Sequence, residues 1–400
     1  RTGQFSVPFA EWNDRFRDTA RTFWLEDVDG GSDFGRISLQ EMATRLCGSA
    51  DLFATEPGRG APASINFVSC HDGFTLTDLT RYRSKHNEAN GENNNDGSSV
   101  NHSANFGVEG VTDDPDVIAA REQAAMNMIG MLLLSLGTPM MLAGDEFRNT
   151  QDGNNNAYCQ DNDITWLKWD WMYSTNKTRE MRRLETVSRL VALRKSLDLY
   201  HHEDFFTRLT QIGLLKPSSR VQWFLPDGTT PMERDWFDLG VRSFTMRLLS
   251  NSEVDVCIVV NGTADDRTFR LPPDTHWTPK WCSAEINGRR AGHGTQVEEC
   301  DLNGDTTVWT QHVPDASETV LKMVEEVAMQ RTESSTENEA DTIKFAMPVT
   351  DHAANGTSSA PRDEVSADMP DAPVDDTPDT PVDDNVWTMP ALSITLMKQV

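Results

Sequence analysis

His71 and Asp72 are the residues whose types and setting best suit chemistry. They close the stretch Ser64–Phe74 (S-I-N-F-V-S-C-H-D-G-F), where a β-prone apolar run through Ile65, Phe67 and Val68 stops at a polar pair and Gly73. An imidazole and a carboxylate projecting from the end of a buried strand are candidates for a reaction centre; the plainer alternative is a buried His-Asp hydrogen bond that orders a loop. A second candidate is the adjacent pair Asp145-Glu146, since paired carboxylates can do acid/base work. A third is the polar loop 77–115, with seven asparagines between Asn87 and Asn105. Each asparagine sets a donor beside an acceptor, a pattern that matches vicinal hydroxyls without charge, although any single one can simply be solvated. The six cysteines (47, 70, 159, 257, 282 and 300) show no C-x-x-C and no metal spacing, so reduced, mostly buried thiols are expected. D-V-D-G-G-S-D-F-G invites comparison with a calcium loop. Aligning Gly35, Ile37 and Glu41 to that motif, however, puts Gly30 where its first Asp belongs. A Gly-rich turn and a helix capped by Ser38, with Glu41 at N3, is the better reading.

The elements that must position these groups follow from spacing. Phe9–Asn13 reads as a strand end that brings Trp12 and Asn13 to a rim; Trp12 could equally pack under a helix. Phe16, Ala20, Phe23 and Trp24 then recur at helical spacing. Asp116–Leu136 reads as a strongly buried helix ended by Gly137, and Met140–Ala143 as a strand that Pro139 can start but not interrupt. Strand, long loop, helix, strand is one right-handed β/α unit, and in a barrel of such units the carboxyl rim of the strands carries the chemistry. Trp166, Trp169 and Trp171 form an aromatic cluster, read as core with stacking on a ligand as the alternative. Arg179–Leu197 is an amphipathic helix. W-F-L-P-D-G marks a turn; Ser243–Leu249, Val254–Val260, Thr268–Leu271 and Val308–His312 read as short strands.

V-S-C-H-D-G-F-T-L-T-D-L, K-H-N-E-A-N-G-E-N-N-N-D-G, G-T-P-M-M-L-A-G-D-E-F and G-N-N-N-A-Y-C-Q-D-N, in that order, resemble the isoamylase and glycogen-debranching branch of the α-amylase superfamily. M-E-R-D-W-F also resembles a motif of that family. The likeness runs from about residue 1 to about 270 and returns in the last fifteen residues. It implies an α/β fold: the C-terminal part of a (β/α)8 TIM barrel, then a small antiparallel β-sandwich domain with a disordered acidic insertion. The expected boundaries are 1–200 for the barrel portion (about strands six to eight), 201–242 for a link, 243–312 plus 386–400 for the β domain, and 313–385 for the insertion. The resemblance further implies a retaining hydrolase of α-1,6-glucosidic linkages in glycogen- or starch-type glucans. In it Asp72 would hold sugar hydroxyls and stabilise the charged transition state, with His71 orienting the same sugar as a neutral donor. Asn87, Asn90, Asn154, Asn155, Asn156 and Tyr158 would lie near substrate. Asp145 and Glu146 take no proton-transfer role there and are expected as rim scaffolding salt-bridged to Arg148. The family's nucleophile and general acid have no counterpart here; R-T-G-Q-F looks like sequence just after the acid. This chain alone is therefore expected to be inactive and to fold poorly with strand edges exposed. A non-catalytic glucan-binding subunit and an α-1,4-glucanotransferase are the other readings.

Net charge is −27, and 313–385 holds 18 acidic against 4 basic side chains, about half of that excess. Such a balance disfavours nucleic acid and anionic membranes as partners. The resemblance implies a branched α-glucan (glycogen, amylopectin or limit dextrin) as the partner, with no cofactor and no metal. No run of eighteen apolar residues is present; Met126–Leu136, broken by Asn127, is too short to span a bilayer. The resemblance implies a cytoplasmic setting, or a plastid in a photosynthetic eukaryote. The Ser-, Thr-, Asp- and Pro-rich repeats of 313–385 cannot bury enough surface to offset ordering entropy, although Glu318–Gln330 could form a helix.

Overall fold

The computed structural model describes residues 2–25, 36–54, 58–201, 205, 207–208, 220–249, 255–273, 276–294, 296–299, 385–390 and 393–399. The chain divides into two units, Arg1–Ala316 with Val382–Val400 and Ser317–Pro381, and all described residues lie in the first. The glycine-rich segment 26–35, the strand expected at Val308–His312 and the acidic insertion fall outside them.

Three short parallel strands form one sheet: β1 (Glu11–Asn13), β2 (Ser64–Asn66) and β3 (Thr138–Pro139), with β2 in the middle. β1 runs directly into helix α1 (Asp14–Leu25), which buries Phe16, Ala20, Phe23 and Trp24 as their spacing requires. Helix α2 (Leu39–Leu46) starts at Ser38, whose hydroxyl accepts from the Glu41 amide at 3.2 Å. Between β2 and β3 come the short helix α3 (Leu76–Leu79), the long polar loop and helix α4 (Pro115–Leu134), capped by Asp114 with Pro115 at the first helical position. α4 is long and apolar enough to cross a membrane by length and composition, longer than the apolar run suggests. Most of it lies inside the protein, where Arg121, Glu122, Gln123 and Asn127 are buried along it.

Two boundaries differ from expectation. α4 ends at Leu134, not at Gly137: Ser135 is extended and turns its hydroxyl back to the Met131 carbonyl, and the Leu136 amide leaves for Leu46 O. Gly137 serves β2 instead. Its φ is +121°, and a Cβ there would sit 2.7 Å from Asn66 Nδ2. The third strand is Thr138–Pro139 rather than Met140–Ala143, and only the Met140 amide continues it, donating to Asn66 O at 2.8 Å. Side chains tie the sheet across its strands: Asn13 Nδ2 donates to Ser64 Oγ at 2.8 Å, Ser64 Oγ to Asn66 Oδ1 at 2.7 Å, and Asn66 Nδ2 to Leu136 O at 3.0 Å. Asn13, expected near the rim, is fully buried in this ladder.

Helix α5 (Arg179–Ser196), capped by Thr178, packs beside α4. A six-stranded sheet follows, in the order Thr207–Arg208, Arg220–Phe224, Ser243–Leu249, Val256–Asn261, Ser393–Gln399, Trp277–Cys282. All its pairings are antiparallel except the first. The stretch 201–242, expected as a link, thus supplies two strands, and Trp277–Cys282 is a strand beyond those expected. Along Val256–Asn261, Val256, Ile258 and Val260 join the main core with α4, whereas Cys257 and Val259 join a second cluster with Phe269, Trp277 and Trp387. That period-two division is what a strand buried on both faces produces. Gly130 of α4 allows the closest approach, since a Cβ there would meet Ile394 and Trp281 at 2.7 and 2.9 Å.

Candidate functional site

Beyond β2 the chain stays buried through Phe67, Val68, Ser69 and Cys70, then surfaces at His71 and Asp72, both exposed. Fixed contacts set that exit. Arg21 of α1 donates to Val68 O at 2.7 Å and to Asn101 O at 3.0 Å. Ser69 Oγ donates to buried Asp145, which also accepts the Leu76 amide at 3.0 Å. Gly73, at φ +84°, donates its amide to Asn155 O at 2.9 Å. Asp72 is therefore held on both sides and left open to solvent.

Its immediate neighbours are Cys70 and His71. Cys70 Sγ lies 2.7 Å from Asp72 Oδ1 and 3.3 Å from Asp72 O. Burial, then the Asp72 carboxylate, push the thiol up to about 11, so it is a donor rather than a thiolate. One ligand atom each from Cys70, His71 and Asp72 lies within 4.8 Å of the others, the spacing of a potential metal site. A thiol that resists deprotonation is a poor ligand, and metal binding selects the thiolate. His71 meets the Trp12 ring edge-on at 5.7 Å, and Trp12 in turn rests on Phe67 at 5.6 Å. Trp12 remains 44% exposed, so it is neither core nor packed under the helix; it walls the rim beside His71.

The asparagines expected near substrate, Asn87, Asn90, Asn154, Asn155 and Asn156, form a hydrogen-bonded seam. Asn87, Asn154 and Asn155 are at most 2% exposed. Asn87 Nδ2 donates to Asn155 Oδ1, Asn155 N to Asn87 Oδ1, and Asn154 Nδ2 to Asn90 Oδ1, all at 2.8–2.9 Å. Asn90 and Asn156 both donate to Asp96 Oδ2, at 2.7 and 2.9 Å, and these bonds lower the Asp96 carboxyl below the usual range. The side-chain amides that could match sugar hydroxyls are thus spent joining the loop after β2 to the loop after β3. Tyr158 stands 73% exposed at the edge of this seam. Cys70, Asp96 and Arg21 support the site without standing out in the sequence as site residues; an acid amid seven asparagines is the available signal for Asp96.

Asp145 and Glu146 are scaffolding, but not through Arg148. Asp145 holds Ser69 and Leu76, and Glu146 accepts the Gly144 amide at 2.8 Å. Arg148, at φ +70°, turns away and pairs with Glu122 at 3.1 Å and Glu180 at 3.7 Å. Trp166 and Trp169 are 56% and 48% exposed, with Trp169 and Trp171 resting on Phe147 at 4.8 and 5.3 Å, so the cluster is a surface one.

These features define an α/β protein with an exposed acid in the loop that follows its central parallel strand and a largely antiparallel β region. No family model matches the chain. It is 39% identical over 302 residues to the glycogen debranching enzyme of Pectobacterium atrosepticum, covering 75% of this chain and 41% of that protein. It is 42% identical over 247 residues to the glycogen operon protein GlgX homolog of Mycobacterium tuberculosis, covering 61% of this chain and 32% of that one. Among solved structures, pullulanase from Bacillus acidopullulyticus aligns with a TM-score of 0.43 at 17% identity, over 70% of this chain and 28% of that chain. The chain resembles the isoamylase-type glycogen debranching enzymes, and it spans about two fifths of the first of those relatives.

Proposed function

We propose that this chain is a portion of a retaining glycosidase that cuts α-1,6 branch linkages in glycogen- or starch-type glucans. On this reading β1, β2 and β3 are the last three strands of a (β/α)8 barrel, and the six-stranded sheet, with the cluster of Cys257, Val259, Phe269, Trp277 and Trp387 on one face, belongs to a sandwich beside it. The observation that carries the proposal is Asp72: an exposed carboxylate six residues beyond the buried parallel strand β2, steadied by the Cys70 thiol and flanked by His71, which meets Trp12. Sugars bind through an apolar ring face and directional hydroxyls, so an aromatic edge beside a carboxylate and an imidazole suits a glucosyl unit. Hydrogen bonds from two sugar hydroxyls to Asp72 would strengthen as positive charge develops at the anomeric carbon, which is binding energy that raises turnover. The nucleophile and the proton donor would come from outside this chain. Asn87, Asn154 and Asn155 support the site by holding its loops, while Tyr158 and Trp12 are the aromatic contacts.

The test is Asp72→Ala in the protein that carries this chain, assayed by release of linear chains from a branched glucan. Loss of turnover by several orders of magnitude, with the melting temperature kept, is expected. Turnover equal to that of the unsubstituted protein removes the assignment.

A further inference from the structure

Away from Asp72, a cavity of about 260 Å³ lies where α3 meets the first turns of α4 and α5. Its lining includes Thr80, Arg81, Thr112, Asp113, Arg148 and Arg179. Four guanidiniums border it, counting Arg121, against two carboxylates, Asp113 and Glu122. Most of the neutralisation is already used elsewhere. Glu122 is shared by Arg183, at 2.8 Å, and Arg148, at 3.1 Å. Arg121 gives its Nη atoms to the Gly110, Asn105 and Val108 carbonyls. Among the described residues, neither Arg81 nor Arg179 has an ion-pair or hydrogen-bond partner for its guanidinium. Arg148 is 92% buried by side chain, since 8% is exposed, and its Nη1 has no hydrogen-bond acceptor. Buried guanidinium nitrogens left without acceptors are costly, and like charges held together add to that cost. Burial, with Arg183 and Arg81 nearby and Glu122 only partly opposing, pulls Arg148 down to about 10.

We propose that this cavity is a binding site for a compact oxyanion, a phosphate group either free or carried on a small molecule. Planar guanidinium forks satisfy several oxygens of one tetrahedral anion at once, which a single carboxylate cannot match. The Thr112 hydroxyl, which accepts the Asp114 amide at 3.2 Å, keeps its proton available as a further donor. The volume is just below the usual range of about 300–1,000 Å³ for small-molecule sites, so a bulky ligand is disfavoured. The basic cluster also stands out in a chain of net charge −27, whose overall field repels anions. Only a local, desolvated arrangement of cations could hold one against that field.

The site is tested by titrating inorganic phosphate, glucose 6-phosphate and uncharged glucose into the protein that carries this chain at fixed ionic strength, reading heat and melting temperature. Saturable binding of phosphate, with none of glucose, is expected. Arg81→Gln and Arg179→Gln should each weaken it roughly tenfold, the size of one lost charge-assisted hydrogen bond. Asp113→Asn should tighten it by removing an opposing charge, a gain that misfolding cannot mimic. Tighter binding of glucose 6-phosphate than of phosphate identifies a ligand with a body; equal binding identifies the free ion. No saturable binding of either anion, or affinity indifferent to all three substitutions, overturns the proposal.

Discussion

Asn87 and Asn155, 68 positions apart, exchange two hydrogen bonds: Asn87 Nδ2 donates to Asn155 Oδ1 and Asn155 N to Asn87 Oδ1, both at 2.9 Å. Both residues are almost fully buried, so neither amide can turn to water if its partner is removed. Asn155→Ala also forfeits bonds from its Nδ2 to Asn101 Oδ1 and Ser98 O. Each single alanine should cost about 1–3 kcal/mol in urea unfolding. The double variant should cost less than the sum, because the side-chain bond from Asn87 Nδ2 to Asn155 Oδ1 is lost in both single variants and can be lost only once. Additive costs would mean that the two loops are not joined through this pair.

Cys70 gives a second check, independent of any glucan. Its thiol is buried against Asp72 and pushed up to about 11, whereas Cys159 is exposed. Iodoacetamide at mildly alkaline pH should therefore modify Cys159 well before Cys70, read by peptide mass mapping of the folded chain. Comparable rates would contradict the Cys70–Asp72 contact. In the protein that carries the chain, Cys70→Ser should preserve glucan turnover better than Cys70→Ala, since only the serine retains a donor to the carboxylate.

Much of the frame is legible because local rules agree with the packing. The α1 apolar spacing, the Ser38 cap, the Arg179 helix and the strand Ser243–Leu249 all stand where periodicity and capping put them. The third strand lies earlier than expected because Pro139 reads as a barrier. Among the described residues β3 pairs only with β2, so Pro139 sits where no amide is required of it. The asparagine seam is not legible in the sequence for a different reason. Their amides serve a sugar or one another with the same donor and acceptor, and the choice rests on contacts 54–70 residues apart. Arg148 likewise lies three residues from Asp145, yet its left-handed backbone points it at Glu122 instead. The exposure of Trp12, Trp166 and Trp169 depends on which neighbours cover them, and spacing does not encode that.

Asp145 makes a pH prediction. Burial pushes its carboxyl up to about 6 despite the bonds from Ser69 and Leu76. The folded state therefore binds a proton that the unfolded state releases between the ordinary value of 3.8 and about 6. Its contribution to stability is present below the unfolded value and is lost as pH rises through about 6. The difference between the parent and Asp145→Asn stability curves should fall over that interval by on the order of 2–3 kcal/mol. A flat difference would mean that Asp145 stays ionised throughout.

Glu122 should show the opposite slope. Burial alone would raise its carboxyl, but the guanidiniums of Arg183 and Arg148 override it and hold the group below its ordinary value of 4.5. A depressed carboxyl contributes stability above the unfolded value and loses it as pH falls through the folded one. Glu122→Gln is expected to be the costliest of these substitutions, about 3–5 kcal/mol near neutral pH, because it leaves two buried guanidiniums facing each other. Arg183 also donates to Thr77 Oγ1 at 3.2 Å and to Asp145 O at 3.3 Å. That connection ties the first turns of α4 and α5 to the segment just beyond Asp72. The parent-minus-variant difference should therefore shrink on acidification below pH 4.5, while that for Asp145→Asn grows as pH falls from about 6. Urea titrations of both variants from about pH 3.5 to about pH 7 distinguish the two signs. Parallel curves would show that the two carboxylates do not occupy such different surroundings.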